Sequence, residues 1–138
     1  FGLYPTIVKP PYTTLTAYDL NRGAIEWQIG LGDDLRLLPL GIRGTGSAAT
    51  VKGGLIVTGA GIVFATAADR KVHAYDSGDG KELATFPLGG PTSGGPSMYE
   101  HAGKQYLLVT ASATQPSGPG AVPTPHQGPT GLVAYALP

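Results

Sequence analysis

Two aspartates set at equivalent places in two similar runs are the side chains of this sequence with the plainest chemical use. Asp19 closes Leu15-Thr16-Ala17-Tyr18, and Asp76 closes Val72-His73-Ala74-Tyr75. A carboxylate at a strand end could act as a general base or as an oxygen ligand for a metal. The simpler role is the stronger one, because such an Asp caps the following turn by accepting backbone N–H bonds. His73, His101 and His126 have no partners at ligand spacing, whereas a structural zinc needs four placed ligands. Cysteine is absent, which removes disulfide and thiolate chemistry. Asp33 and Asp34 are adjacent, so in an extended segment their side chains point apart. Gly44-Thr45-Gly46-Ser47-Ala48-Ala49 has the glycine spacing of a dinucleotide loop. Its context is wrong, since Pro39 precedes it and no amphipathic helix follows before Gly53-Gly54. No Ser-His-Asp arrangement is visible.

The elements that carry the two aspartates form a repeat. Ala17 and Ala74, Asp19 and Asp76, and Gly23 and Gly80 are each 57 residues apart, and Leu31 and Leu88 continue the register. A third trace, Leu132-Val133-Ala134-Tyr135, lies 60 residues beyond Ala74 at its alanine. Each unit reads as strand, tight turn, strand, with Gly23 or Gly80 supplying the positive φ that closes the hairpin. Trp27, on the return strand of the first unit, is expected to pack into a neighbouring β-layer. Further short strands are expected over 54–58, 61–66, 97–100, 104–111 and 131–137, with turns at Gly59-Ala60-Gly61 and His101-Ala102-Gly103. Residues 1–11 read as an extended approach and 115–129 as a long Pro/Gly/Ser-rich loop.

The 22 glycines and 13 prolines among 138 residues exclude a helical protein and favour short strands in an all-β architecture. Net charge is zero and 13% of residues are charged, so there is no basic field for nucleic acid or anionic membrane. So little solvated surface implies that parts of the chain lie against other protein. No apolar run approaches a membrane span. The sequence starts at Phe1 in mid-pattern, and we expect a single unit over 1–138 that is a piece of something larger, with repeats at about 12–32, 54–90 and 97–138. A period near sixty with four strands per unit suggests propeller blades separated by long loops. Leu35, Leu37, Leu38 and Leu40 need a cover, and self-association through this patch or through open strand edges is expected.

The run Leu15-Thr16-Ala17-Tyr18-Asp19-Leu20-Asn21-Arg22-Gly23 through Trp27 resembles the tryptophan-docking motif of pyrroloquinoline-quinone (PQQ) dehydrogenases. Further segments are similar to the membrane quinoprotein glucose dehydrogenases: Gly53-Gly54-Leu55-Ile56-Val57-Thr58, Gly61-Ile62-Val63-Phe64, Pro96-Ser97-Met98-Tyr99-Glu100, Gly103-Lys104-Gln105-Tyr106 and Val133-Ala134-Tyr135-Ala136-Leu137-Pro138. The resemblance implies about two four-stranded antiparallel blades from the C-terminal part of an eight-bladed quinoprotein β-propeller. It implies a parent in the periplasm, with or without an inner-membrane anchor, that oxidises a sugar or other alcohol and passes electrons to quinone. Its cofactors would be PQQ and calcium, or magnesium, with the metal ligands and the catalytic Asp on earlier blades. Its partners would be those remaining blades, the small-molecule substrate and the quinone acceptor.

By the same resemblance, Lys52, Gly53 and Gly54 in one axial loop and Ala113 and Thr114 in another would border the cofactor. This chain has Ala111-Ser112-Ala113-Thr114 where relatives carry a glycine-rich turn, and Ala84 where the second docking Trp is expected. Those departures keep open an alternative, a non-catalytic propeller that serves as a scaffold or interaction module. On either reading the segment alone is expected to bind no PQQ and to be inactive, because an axial ligand takes its contacts from the whole ring.

Overall fold

The computed structural model describes residues 8–47, 52–113 and 128–137. Among the described residues eleven strands follow one another: β1 (Thr14–Asp19), β2 (Ala24–Gly30), β3 (Lys52–Gly53), β4 (Leu55–Val57), β5 (Ile62–Ala67), β6 (Lys71–Asp76), β7 (Glu82–Pro87), β8 (Ser93–Gly94), β9 (Ser97–His101), β10 (Lys104–Ala111) and β11 (Gly131–Ala136). The one helical piece among the described residues is a 3₁₀ turn at Leu38–Leu40. None is a helix long and apolar enough to cross a membrane.

The strands form an antiparallel hairpin β1-β2, a four-stranded sheet β4-β5-β6-β7 and a three-stranded sheet β9-β10-β11. Sequential antiparallel pairing follows from the short turns of the first hairpin, the four-stranded sheet and β9-β10, which leave no length for a crossover, while β10 and β11 pair across the longer connection 112–130. The expected turn chemistry is present. Asp19 Oδ1 accepts the Asn21 and Arg22 amides at 2.8 and 3.2 Å, and Asp76 Oδ1 accepts that of Gly78 at 2.7 Å. Arg22 and the turn amides hold the Asp19 carboxyl below the usual range. Both hairpins shift register at the same place, between Ala17 and Tyr18 and between Ala74 and Tyr75.

The two central strands of the four-stranded sheet, β5 and β6, are covered on both faces, while β4 and β7 at its edges stay largely exposed. Phe64, Val72 and Ala74 point to one side, where Leu88, Leu107, Val109, Ala111 and Val133 complete a core with the three-stranded sheet. Val63, Ala65 and Tyr75 point to the other, where Leu15, Trp27, Ile29 and Leu31 of the first hairpin and its exit pack on them. This stacking of sheets accounts for the low charge. Of the leucine patch, Leu37 is buried, Leu35 and Leu38 are half-buried and Leu40 stays exposed, so only part of it is covered.

Trp27 packs as the repeat implies. Its ring lies half-buried against Gly80, and its Nε1–H donates to the Ser77 carbonyl at 3.0 Å. Gly80 has φ +73°, and a Cβ there would stand 2.7 Å from the indole Cε3, so glycine serves both the turn and the docking. Trp27→Ala is expected to cost about 2–3 kcal/mol, below the range for a fully enclosed ring. Trp27→Phe should cost about 1 kcal/mol through the lost hydrogen bond. Chemical denaturation of the two variants against wild type measures both.

Candidate functional site

The registers sort the loops by end. The turns at 20–23, 58–61, 77–80 and 101–103 lie at one end of the sheets. At the other end lie the exit of β2, the Gly53-Gly54 corner, the Asp69-Arg70 turn, the exit of β7 and the exit of β10. Two clusters of chemistry-bearing groups sit there.

The first is a strip of backbone. Lys52 and Gly53 pair in parallel with Ser93 and Gly94, joining segments far apart in sequence. Gly54 is held by a two-way bond to Thr66: its N–H donates to Thr66 Oγ1 at 3.2 Å, and its carbonyl accepts the Thr66 N–H at 3.1 Å. A Cβ on Gly54 would lie 2.7 Å from the Gly95 Cα, so the two backbones touch. On the far side, Thr110 Oγ1 donates to the Ser93 carbonyl at 3.1 Å, and the Ser112 N–H donates to the Pro91 carbonyl at 2.8 Å. Gly90 lies so close to Ser112 that a Cβ would fall 1.8 Å from its carbonyl oxygen. Next to this strip Thr92 is 4% exposed, and its hydroxyl has no hydrogen-bond partner. A buried hydroxyl left unpaired is costly, and a water or ligand atom there would relieve it.

The expected site residues are thus partly brought together. Gly53 and Gly54 join the exit of β10 through Ser93 and Thr110, and Ala113 stands exposed just beyond Ser112. Lys52 contributes its backbone to the β3–β8 pair, and Thr114 lies outside the described residues, as do positions 1–7 and 114–127. Sequence reasoning missed the middle of the strip, Thr92 to Gly95. The doubled glycines at 89–90 and 94–95 were its only signal.

The second cluster lies between the first hairpin's exit loop and the four-stranded sheet. His73 is buried, with Nε2 3.0 Å from Asp69 Oδ2 and Nδ1 2.7 Å from Glu82 Oε2. Burial alone would lower its pKa, but hydrogen bonds and charge from Asp69 and then Glu82 raise it above the ordinary histidine value. The ring stacks on Tyr75 at 5.8 Å, and burial followed by the nearby carboxylates pushes the Tyr75 phenol up. Asp69 Oδ2 also accepts the Asp33 amide at 3.2 Å. Asp33 and Asp34 do point apart: Asp33 Oδ1 accepts the Gly44 amide at 2.6 Å, and Asp34 Oδ1 accepts Arg36 Nε at 2.9 Å. That Arg36 contact, working against burial, lowers the Asp34 pKa. The two carboxylates of His73 lie on opposite edges of its ring, and among the described residues no three His, Cys, Asp or Glu groups are arranged for a metal. Asp69 four residues before His73 was a visible hint, whereas Glu82 faces His73 only because of the bulge at Ala74/Tyr75.

Residues 3–107 match the family model for the PQQ-containing glucose/ethanol/alcohol dehydrogenase β-propeller domain. The chain is 35% identical over 136 residues to the quinate/shikimate dehydrogenase (quinone) of Acinetobacter baylyi, covering 94% of this chain and 16% of that protein. It is 35% identical to the glycerol dehydrogenase large subunit of Gluconobacter oxydans, covering 94% and 17%. Against the quinoprotein glucose dehydrogenase of Escherichia coli it is 30% identical, covering 94% and 16%. It spans about one sixth of the length of these relatives. The quinohemoprotein alcohol dehydrogenase structure from Comamonas testosteroni shares the fold, with a TM-score of 0.53 over 71% of this chain and 12% of that one at 24% identity. Stacked antiparallel sheets, a docked tryptophan and the family match lead to one assignment: the chain belongs to the PQQ-dependent glucose/ethanol/alcohol dehydrogenase family and is built from its β-propeller.

Proposed function

We propose that this chain is the C-terminal part of a larger periplasmic dehydrogenase that oxidises a sugar, polyol or other alcohol with PQQ and passes the electrons to quinone. The observation that carries the proposal is the glycine strip at the loop end of the sheets. Gly53, Gly54, Gly94 and Gly95 present bare backbone, onto which a flat polar ring can lie, and the Thr92 hydroxyl beside them lacks a partner. The residues present therefore fit such a cofactor. When bound, PQQ supplies a quinone able to take two electrons from the alcohol carbon, aided by a calcium or magnesium ion held by other parts of the parent. This chain's own share is binding and orientation. Thr66 fixes the Gly54 corner, Thr110 fixes Ser93, the Lys52 backbone pairs with Ser93, and Ala113 stands just beyond Ser112. The relatives named for quinate/shikimate, glycerol and glucose support a hydroxyl-bearing substrate, and the first is named for quinone as its acceptor.

The test is a titration of the intact parent protein with PQQ and calcium. A screen of quinate, shikimate, glycerol, glucose and simple alcohols with a soluble quinone follows. Stoichiometric PQQ binding and reduction of the quinone are expected. Failure to bind PQQ would overturn the reading and favour the scaffold alternative, to which Ala84 and the Ala111–Thr114 turn lend their weight. Gly54→Val should weaken PQQ at least about tenfold, because its side chain must force the Gly95 backbone away. This segment alone should show no PQQ binding in the same titration.

A further inference from the structure

The loop between β2 and β3 is long, and its described part, 31–47, is tied into a compact shape by its own backbone. The Gly46 N–H donates to the Gly32 carbonyl at 3.0 Å, and the Ser47 N–H to that of Leu31 at 3.2 Å. Asp33 Oδ1 takes the Gly44 amide, and Thr45 Oγ1 takes the Asp34 amide at 2.8 Å. The folded loop is tied back to the approach to β1, where the Tyr12 N–H donates to the Thr45 carbonyl at 2.8 Å, and its Gly32-Asp33 end is docked on the next sheet. There Gly32 sits against Ala67 and Asp69, where a Cβ would come within 2.6 Å of Ala67 Cβ, and the Asp33 amide donates to Asp69 Oδ2. The Asp69 side chain is wholly enclosed, and it also faces His73 Nε2.

We propose that protonated His73 is a latch that holds this loop on the four-stranded sheet, and that loss of its proton on the alkaline side loosens the loop. The cation has two N–H donors, and a carboxylate faces each ring nitrogen. A neutral ring has one donor and one lone pair. After deprotonation one of two things must happen: a lone pair faces a carboxylate, or Glu82, whose side chain is half-exposed, turns away to solvent. In either case the enclosed Asp69 loses the positive charge of the imidazolium, and an enclosed carboxylate with less compensation is unfavourable. With the histidine charge gone, the enclosed Asp69 carboxylate is drawn toward water. The Asp33 amide bonded to it, one of the loop's attachments beside the contact of Gly32 with Tyr75, must move with it or be released.

The groups facing His73 are Asp69 from the β5–β6 turn, Glu82 from β7 and Tyr75 from its own strand, with the Asp33 carboxylate just beyond in the loop. Three of the four are acids and none of the four is a competing base. A histidine whose folded pKa is raised adds stability that is complete below its unfolded pKa, near 6.5. That contribution disappears as pH rises through the folded value, so the latch is closed on the acid side and opens toward alkaline pH. The inference does not depend on the cofactor.

Hydrogen exchange read by mass spectrometry on the intact parent protein tests it, with rates corrected for intrinsic pH dependence. Protection of the amides in 33–46 is expected to fall about tenfold from about pH 6 to about pH 9, while the core amides of Leu107 and Val109 hold steady. His73→Gln should show low protection of 33–46 at every pH and no midpoint. Glu82→Gln, at an accessible position that does not threaten folding, should retain the transition and move its midpoint to lower pH. Unchanged protection of 33–46 across this range in wild type would overturn the proposal. So would a transition in Glu82→Gln at the wild-type midpoint, or a His73→Gln variant whose loop titrates as wild type does.

Discussion

Leu107→Ala is expected to destabilise the protein by about 3–5 kcal/mol, the full effect of removing a buried leucine from a site that cannot collapse. Leu107 is completely enclosed at the centre of β10, between the three-stranded and four-stranded sheets. Val72, Val109 and Val133 of the same core are short β-branched strand residues with restricted χ1, so they do little to fill the space left behind. Chemical denaturation of the intact parent protein measures the loss. PQQ affinity of the folded fraction should stay within about twofold of wild type, since the cavity lies inside the sheet packing and away from the glycine strip. A loss below about 1 kcal/mol would mean that the two sheets do not share this core.

Gly90→Ala is the second large effect, and it differs in kind. The added methyl would stand 1.8 Å from the Ser112 carbonyl oxygen, which belongs to backbone and cannot rotate away. Relief requires the exit of β7 and the exit of β10 to separate, breaking the Ser112 N–H to Pro91 bond. A cost of about 3 kcal/mol or more is expected, at the upper end of overpacking. Because Ser112 precedes Ala113, this substitution should also weaken PQQ by at least about tenfold, which Leu107→Ala should not. A Gly90→Ala protein with wild-type affinity would detach Ser112 and Ala113 from the cofactor's surroundings.

Much of what the sequence made legible was what the repeat duplicated. Asp19 and Asp76 as turn caps and Gly23 and Gly80 at positive φ follow from local chemistry copied at a fixed offset, whereas Trp27, whose counterpart is Ala84, was legible from the large apolar ring it must cover. The illegible parts depend on contacts between units. The β3–β8 pair is two residues long and carries no alternation that could announce it. His73 looked solitary because its partners come from a turn and from the next strand, brought round by a bulge whose position no residue type marks. The leucine loop read as one apolar patch, yet its backbone twists through Gly32, Gly41 and Gly44 and buries Leu37 while leaving Leu40 outside.

The strand order has a consequence for how the chain is made. Within each of the three antiparallel units every strand pairs with the one synthesised just before or after it, so each unit can close as it leaves the ribosome. The β3–β8 clip is the exception, since Lys52 must wait for Ser93 while the whole four-stranded sheet is laid down between them. The glycine strip is therefore the last part of this region to form. Released segments ending before Ser93 contain every strand of the β4–β7 sheet and still lack the partner of the Lys52-Gly53 strand. The clip is completed only when the sheet that separates its two strands in sequence has been laid down.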